Sequence, residues 1–138
     1  MKFNGLIPEL SVSDINKSKN FYIDILGFHL EYERFADKFA FLSYGEAQIM
    51  IEEINGHWNT GELQYPFGRG VNFQIATDDV YKIANNLKQN NINLFRDIME
   101  SRYECGCEVV LEKEILVQDP DGYLLRFSQT ENRRDDIR

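Results

Sequence analysis

Glu9, Glu52 and Arg126 are charged residues placed inside segments that otherwise alternate apolar and polar, and two kinds of chemistry follow from such a trio. It can form an ion network that braces an interior, or it can orient a polar or charged ligand. On the residues alone both readings stand. The two histidines, His29 and His57, have no Ser/Asp or Cys partner in a nucleophile motif, and neither a G-x-G-x-x-G nor a P-loop occurs. Cys105 and Cys107 flank Gly106. A C-x-C pair can hold a soft metal, but a structural zinc site wants four ligands and none cluster nearby, so the pair is read as two loop thiols. His57, Trp58, Tyr65 and Phe67 share one aperiodic stretch, 54–69. Such side chains can stack on planar groups. The plainer reading is that Trp58 pins its loop while His57 faces solvent.

The elements that must position these residues follow from periodicity. Residues 6–12 alternate, with Pro8, Leu10 and Val12 on one face and Glu9 and Ser11 on the other, which predicts a half-buried strand. Ser13 or Asp14 caps a helix whose buried stripe is Ile15, Ser18, Phe21, Tyr22, Ile25 and Leu26, stopped by Gly27. Strands are predicted at Phe28–Arg34, Phe39–Tyr44 and Ala47–Glu53, the last two joined at Gly45-Glu46. The pattern then restarts: strand Gly70–Thr77, a helix capped by Asp78 or Asp79 with Val80, Ile83, Ala84 and Leu87 inward, and strands Asn93–Met99, Glu108–Val117 and Tyr123–Gln129. Asp119-Pro120-Asp121-Gly122 is a strong turn. Asp79 lies 65 positions after Asp14, and the same offset pairs Leu10 with Ile75 and Lys17 with Lys82. The chain is therefore read as a duplicated βαβββ unit of α+β class, neither half able to bury its sheet alone. Module one spans about 5–53, a loop 54–69 and module two about 70–129, and a charged tail, 130–138, is expected to fray.

Composition excludes several functions. With 15 basic and 23 acidic residues the formal charge is −8, a poor match for nucleic-acid phosphates. Apolar runs are far shorter than the ~20 residues needed to cross a bilayer, and no apolar stretch follows Met1. No membrane, no secretory signal and a cytoplasmic location with reduced thiols are expected. The apolar strand faces, Leu10 and Val12, Ile49 and Ile51, Val71, Phe73 and Ile75, Leu125 and Phe127, should meet the helices. The opposite faces carry Ile7, Glu9 and Ser11; Gln48, Met50 and Glu52; Asn72, Gln74 and Ala76; and Leu124, Arg126 and Ser128. They either line a cavity or form the wet side of antiparallel sheets.

The run Ser13-Asp14-Ile15, Ser18, Phe21-Tyr22 and Leu26-Gly27-Phe28, with Gly70-Val71-Asn72-Phe73-Gln74-Ile75 and Asp119-Pro120-Asp121-Gly122-Tyr123-Leu124, resembles the vicinal oxygen chelate superfamily over roughly residues 5–129. That superfamily includes glyoxalase I, extradiol dioxygenases, fosfomycin-modifying enzymes and bleomycin-resistance proteins. The resemblance implies two βαβββ modules forming an open, curled mixed sheet, a cup, with helices outside and the site inside. It therefore favours the cavity reading for the polar faces.

The metal-using members place His, Gln or Glu on strands one, four, five and eight. Carried onto this sequence, those slots hold Ile7, Glu52, Asn72 and Arg126. One carboxylate, an isoleucine, an amide and a guanidinium make a poor divalent site, so neither metal nor cofactor is expected. The resemblance then lies nearest the metal-poor, bleomycin-resistance-like members. It implies a homodimer that sequesters a small molecule, such as a cationic aromatic antibiotic, with Pro8 accompanying exchange of the first strand between subunits. The expected ligand-binding residues are Glu9, Met50, Glu52, Trp58, Asn72, Gln74 and Arg126. The alternative is a metal-dependent lyase, isomerase or dioxygenase that uses Glu52 with Glu9, His57 or Glu114. A structural relative without a small ligand is the third reading.

Overall fold

Asp14 and Asp79, equivalent by the 65-residue repeat, cap their helices in the same way. Asp14 Oδ1 accepts from the Asn16 and Lys17 amides at 2.9 and 3.2 Å. Asp79 Oδ1 accepts from Tyr81 and Lys82 at 3.0 and 3.2 Å. Each aspartate thus satisfies two of the donors that a helix start leaves free. The duplication is visible in the chemistry of the caps as well as in the spacing.

The computed structural model describes residues 1–134. Its elements are β1 (Glu9–Val12), α1 (Ile15–Lys19), β2 (His29–Arg34), β3 (Phe39–Tyr44), β4 (Ala47–Glu53), β5 (Asn72–Ala76), α2 (Val80–Gln89), β6 (Arg96–Cys105), β7 (Glu108–Gln118) and β8 (Leu124–Arg134). The order is βαβββ twice, as the periodicity predicts. The strands form two mixed four-stranded sheets, β1-β4-β3-β2 and β5-β8-β7-β6, each with one parallel pair at the edge. Two compact units result. The first is Met1–Val71 together with Asp119–Tyr123, and the second is Asn72–Gln118 with the described residues from Leu124 onward.

Several details depart from the sequence expectation: the strand expected over Asn93–Met99 runs over Arg96–Cys105, and Val71, expected to face the helices, lies ahead of β5 and is exposed. Strand one begins at Glu9 rather than Leu6; Pro8 has no N–H to give a ladder, and only its carbonyl is used, by the Met50 amide at 2.9 Å. The first helix changes winding after Lys19 and runs on as a π-helix over Asn20–Ile25, with Leu26 N–H bonding the Phe21 carbonyl. This wider turn keeps the adjacent rings of Phe21 and Tyr22 both buried. Thr130–Arg134, expected to fray, continues β8 opposite Glu108–Glu112. The end of the tail, 135–138, lies outside the described residues.

In the first unit one sheet face carries Leu10, Val12, Ala40, Leu42, Ile49 and Ile51, all buried. Lys19 of α1 pairs with Glu33 of this sheet at 2.6 Å. The Asp119–Tyr123 turn joins β7 to β8 but packs within this unit. Asp119 Oδ2 accepts from the buried Tyr22 hydroxyl at 2.7 Å, and its Oδ1 accepts from the Asp121 and Tyr123 amides at 2.9 Å each. Asp121 Oδ2 takes the Ser13 amide at 3.0 Å, and the Tyr123 hydroxyl donates to the Ser11 carbonyl at 2.9 Å. Gly122, at φ +94°, is obligatory: a Cβ there would stand 2.6 Å from Pro66.

Burial is the largest influence on Asp119 and pushes its pKa up to about 6, against the opposing pull of the Tyr22 hydroxyl and the two amides. The unfolded chain holds an ordinary aspartate near 3.8, so the folded state binds the extra proton between about pH 4 and 6. The contribution of this group to stability is therefore greatest below pH 4 and is lost as pH rises through 6. A shift of this size corresponds to about 3 kcal/mol. Wild-type Tm, measured against Asp119→Asn, should rise as pH falls from 6 to 4, and a pH-independent difference would contradict this assignment. Tyr22→Phe, which strips a donor from a buried carboxylate, should cost about 1–3 kcal/mol by urea denaturation.

Candidate functional site

The first sheet presents its other face as two rows of side chains, because residues directly paired across a ladder share a face. One row is Glu9, Met50, Phe41 and Tyr32, and the next is Ser11, Glu52, Phe39 and Arg34. Glu9 and Glu52 therefore come from neighbouring strands, two residues out of step, on one surface. Beside them lies a cleft of about 590 Å³ whose lining includes Glu9, Arg34, Glu52, Asn55, His57 and Trp58. Trp58 is 65% exposed at its edge.

The charges of this cleft do not cancel. Arg34 Nε donates to Asp37 Oδ2 at 3.0 Å, and its guanidinium lies 3.9 Å over the Phe39 ring. Lys38 Nζ donates to Glu53 Oε1 at 3.1 Å, while Glu53 Oε2 accepts the Ile15 amide at 3.2 Å. The Ile15 amide, with Lys38 second, holds Glu53 below the usual carboxylate range. These two pairs leave Glu9 and Glu52 as the surplus. Burial, reinforced by the neighbouring Glu52 carboxylate, raises the pKa of Glu9, and Arg34 opposes the rise. Its Oε1 has no hydrogen-bond partner among the described residues. Glu52 Oε1 accepts from Asn55 Nδ2 at 2.5 Å, and Asn55 Oδ1 takes the His57 amide at 2.9 Å. Asn55 thereby ties the loop that carries His57 and Trp58 to a carboxylate of the cleft.

The remaining expected site residues belong to the second unit, where Asn72 pairs with Leu124 and Gln74 with Arg126. Arg126 Nη2 donates to Gln74 Oε1 at 2.8 Å, and Nη1 lies 3.3 Å from Oε2 of Glu114, which is only 8% exposed. Gln74 Nε2 reaches Glu112 Oε1 at 3.4 Å, and the Ser128 hydroxyl donates to the same oxygen. Arg126 thus has an anionic partner, Glu114, that the sequence trio did not include. Of the seven expected residues, Glu9, Glu52 and Trp58 line one cleft, Met50 sits in the row beside Glu9, and Asn72, Gln74 and Arg126 share β5 and β8. Sequence reasoning missed Arg34, Asn55 and the aromatic row of Phe39, Phe41 and Tyr32 on the same sheet face, of which Phe39 and Phe41 are buried. The spacings Arg34-x-x-Asp37 and Glu52-x-x-Asn55 are the only local signals for the first two.

Donor chemistry decides whether a divalent metal fits. Among the described residues no group of three or more His, Cys, Asp and Glu side chains is arranged to hold one. The four slots carried over by resemblance offer a hydrocarbon, one carboxylate, an amide and a guanidinium already bound to Glu114. This set does not fit a divalent metal. The thiols of Cys105 and Cys107 are free and exposed at the β6–β7 turn. Among the described residues no helix is long and apolar enough to cross a membrane.

The profile of the glyoxalase/bleomycin resistance protein/dioxygenase superfamily matches residues 7–127. A probable lactoylglutathione lyase of Synechocystis sp. is 28% identical over 132 residues, which is 91% of this chain and 95% of that protein. A lactoylglutathione lyase of Neisseria meningitidis serogroup A is 28% identical over 134 residues, 93% of this chain and 91% of its own. The crystal structure of TioX from Micromonospora sp. ML1 superposes with a TM-score of 0.70 at 15% identity, covering 92% of this chain and 98% of that one, a likeness of fold alone.

Elemental analysis of the purified protein should find well under one first-row metal ion per chain, and EDTA should leave its Tm unchanged. Each missing donor removes a large part of the ~10–16 kcal/mol that a complete structural zinc site supplies. Stoichiometric metal that resists dialysis would contradict the reading of the donor set.

Proposed function

Since the chain belongs to the glyoxalase/bleomycin resistance protein/dioxygenase superfamily, we propose that it is a small-molecule-binding member that holds a planar organic cation in the cleft of its first unit without a metal. One observation carries the reading. Glu9 and Glu52 are the charges left over once Arg34 is matched by Asp37 and Lys38 by Glu53, and an indole stands at the edge of the same cleft. Two like charges on adjacent strands repel, and a bound cation relieves that repulsion. Trp58, which lines the same cleft, supplies a flat partner for the rest of such a ligand. Sequestration of a cationic aromatic antibiotic is one use of this chemistry. The reading includes a homodimer, consistent with the large exposed side chains of Leu6 and Phe35.

The named relatives favour a second reading, a lyase of the lactoylglutathione type, because two of them match more than nine-tenths of this chain. That reading requires a donor set other than the one carried over by resemblance. Turnover of lactoylglutathione by the purified protein, with or without added divalent metal, would establish it over sequestration.

Titration with planar cations should change Trp58 fluorescence, and the affinity should weaken as salt rises. Glu9→Gln and Glu52→Gln should each weaken binding about tenfold. Affinity should also fall as acid protonates Glu9, at a pH above that of an ordinary glutamate because its pKa is raised. Silence across the panel, together with tight binding of an anion, would refute the proposal.

A further inference from the structure

Phe3 stands edge-on to Phe41, with ring centroids 5.5 Å apart at 88°, while Tyr32 stacks on Phe41 at 5.3 Å and 11°. Phe41 belongs to the row that begins with Glu9 and passes through Met50. Two strand spacings, about 10 Å, therefore separate the backbone of the surplus carboxylate from that of the ring. A ring seated where Phe3 lies can direct a charged substituent across Met50 toward the Glu9 side chain, which covers the rest of that separation.

The arm that carries Phe3 is lightly held. Asn4 N–H donates to Gln48 Oε1 and Gln48 Nε2 to the Lys2 carbonyl, both at 2.7 Å, and Asn4 Nδ2 donates to the Glu46 carbonyl at 2.6 Å. All three bonds are open to water, which replaces them at little cost. The Phe3 ring itself is 56% exposed, so only part of its surface is gained by docking.

We propose that Phe3 fills an aromatic subsite on the first sheet, and that the ring of a bound cation takes its place, so that the N-terminal arm competes with the ligand in cis. This inference rests on the cation-binding reading and adds the group that completes the ligand. The arm lowers the apparent affinity by the fraction of molecules in which the subsite is closed.

Calorimetric titration of the full chain and of Phe3→Ala with benzamidinium and with acetamidinium tests it, because these probes share the charge and differ in the ring. The variant should bind benzamidinium about five- to tenfold more tightly and acetamidinium as wild type does. Gln48→Ala, which frees the arm but keeps the ring, should tighten benzamidinium in the same sense, and thermal melts check that both variants fold. Equal or weaker benzamidinium binding by Phe3→Ala, or equal tightening of both probes, overturns the subsite and leaves the cleft reading standing. Failure of either protein to bind either cation removes the cleft reading, and the subsite with it.

Discussion

The parallel pairing of β1 with β4 is the constraint on which the first unit depends. Glu9 stands beside Met50 and Leu10 beside Ile51, and this register sorts the strands into two faces. A slip of one residue would send Leu10 and Val12 to the carboxylate side and bury Glu9 in their place. The penalty is large, since fully burying one such aliphatic side chain is worth about 1.5–3 kcal/mol, while an unpaired interior charge costs several. Packing therefore holds the site as a by-product. The hydrocarbon of Leu10, Val12, Ile49 and Ile51 fixes where the carboxylates of Glu9 and Glu52 must point.

A second constraint closes the same unit from a distance in sequence. The turn between β7 and β8 sends Asp119 to the hydroxyl of Tyr22, which the π-wound end of the first helix has brought inward. Asp121 takes the amide just ahead of the Asp14 cap, and Tyr123 reaches the end of β1. One five-residue turn thus fixes the start of the helix, its π-wound end and the edge strand that carries Glu9. Its carboxylates are buried, and burial holds Asp119 above an ordinary aspartate even though the Tyr22 hydroxyl and two amides pull the other way.

Much of this was legible in the residues. Strand alternation located Glu9 and Glu52 on the polar face, and the 65-residue offset found both helices and their caps, because these signals are local and periodic. The change to π winding after Lys19 was not legible: it answers the need of Tyr22 to reach Asp119, a contact 97 residues away. Nor was Arg126 correctly partnered, since Glu114 faces it only through a ladder register that no local pattern fixes. The surplus charge at Glu9 and Glu52 was hidden for the same reason. It emerges only when Arg34 is seen to be matched by Asp37, and Lys38 by Glu53.

That surplus is the centre of the functional account, and charge itself can be isolated in one measurement. Benzamidinium and neutral benzamide share a ring and a planar head group, so their relative affinity reports the charge preference of the cleft. Calorimetric titration of wild type and of the Glu9→Gln, Glu52→Gln double variant with both compounds gives the result directly. The account predicts that wild type prefers the cation by about 10- to 100-fold, the range set by one or two charge-assisted contacts, and that the double variant shows no preference. A preference that survives loss of both carboxylates would contradict it.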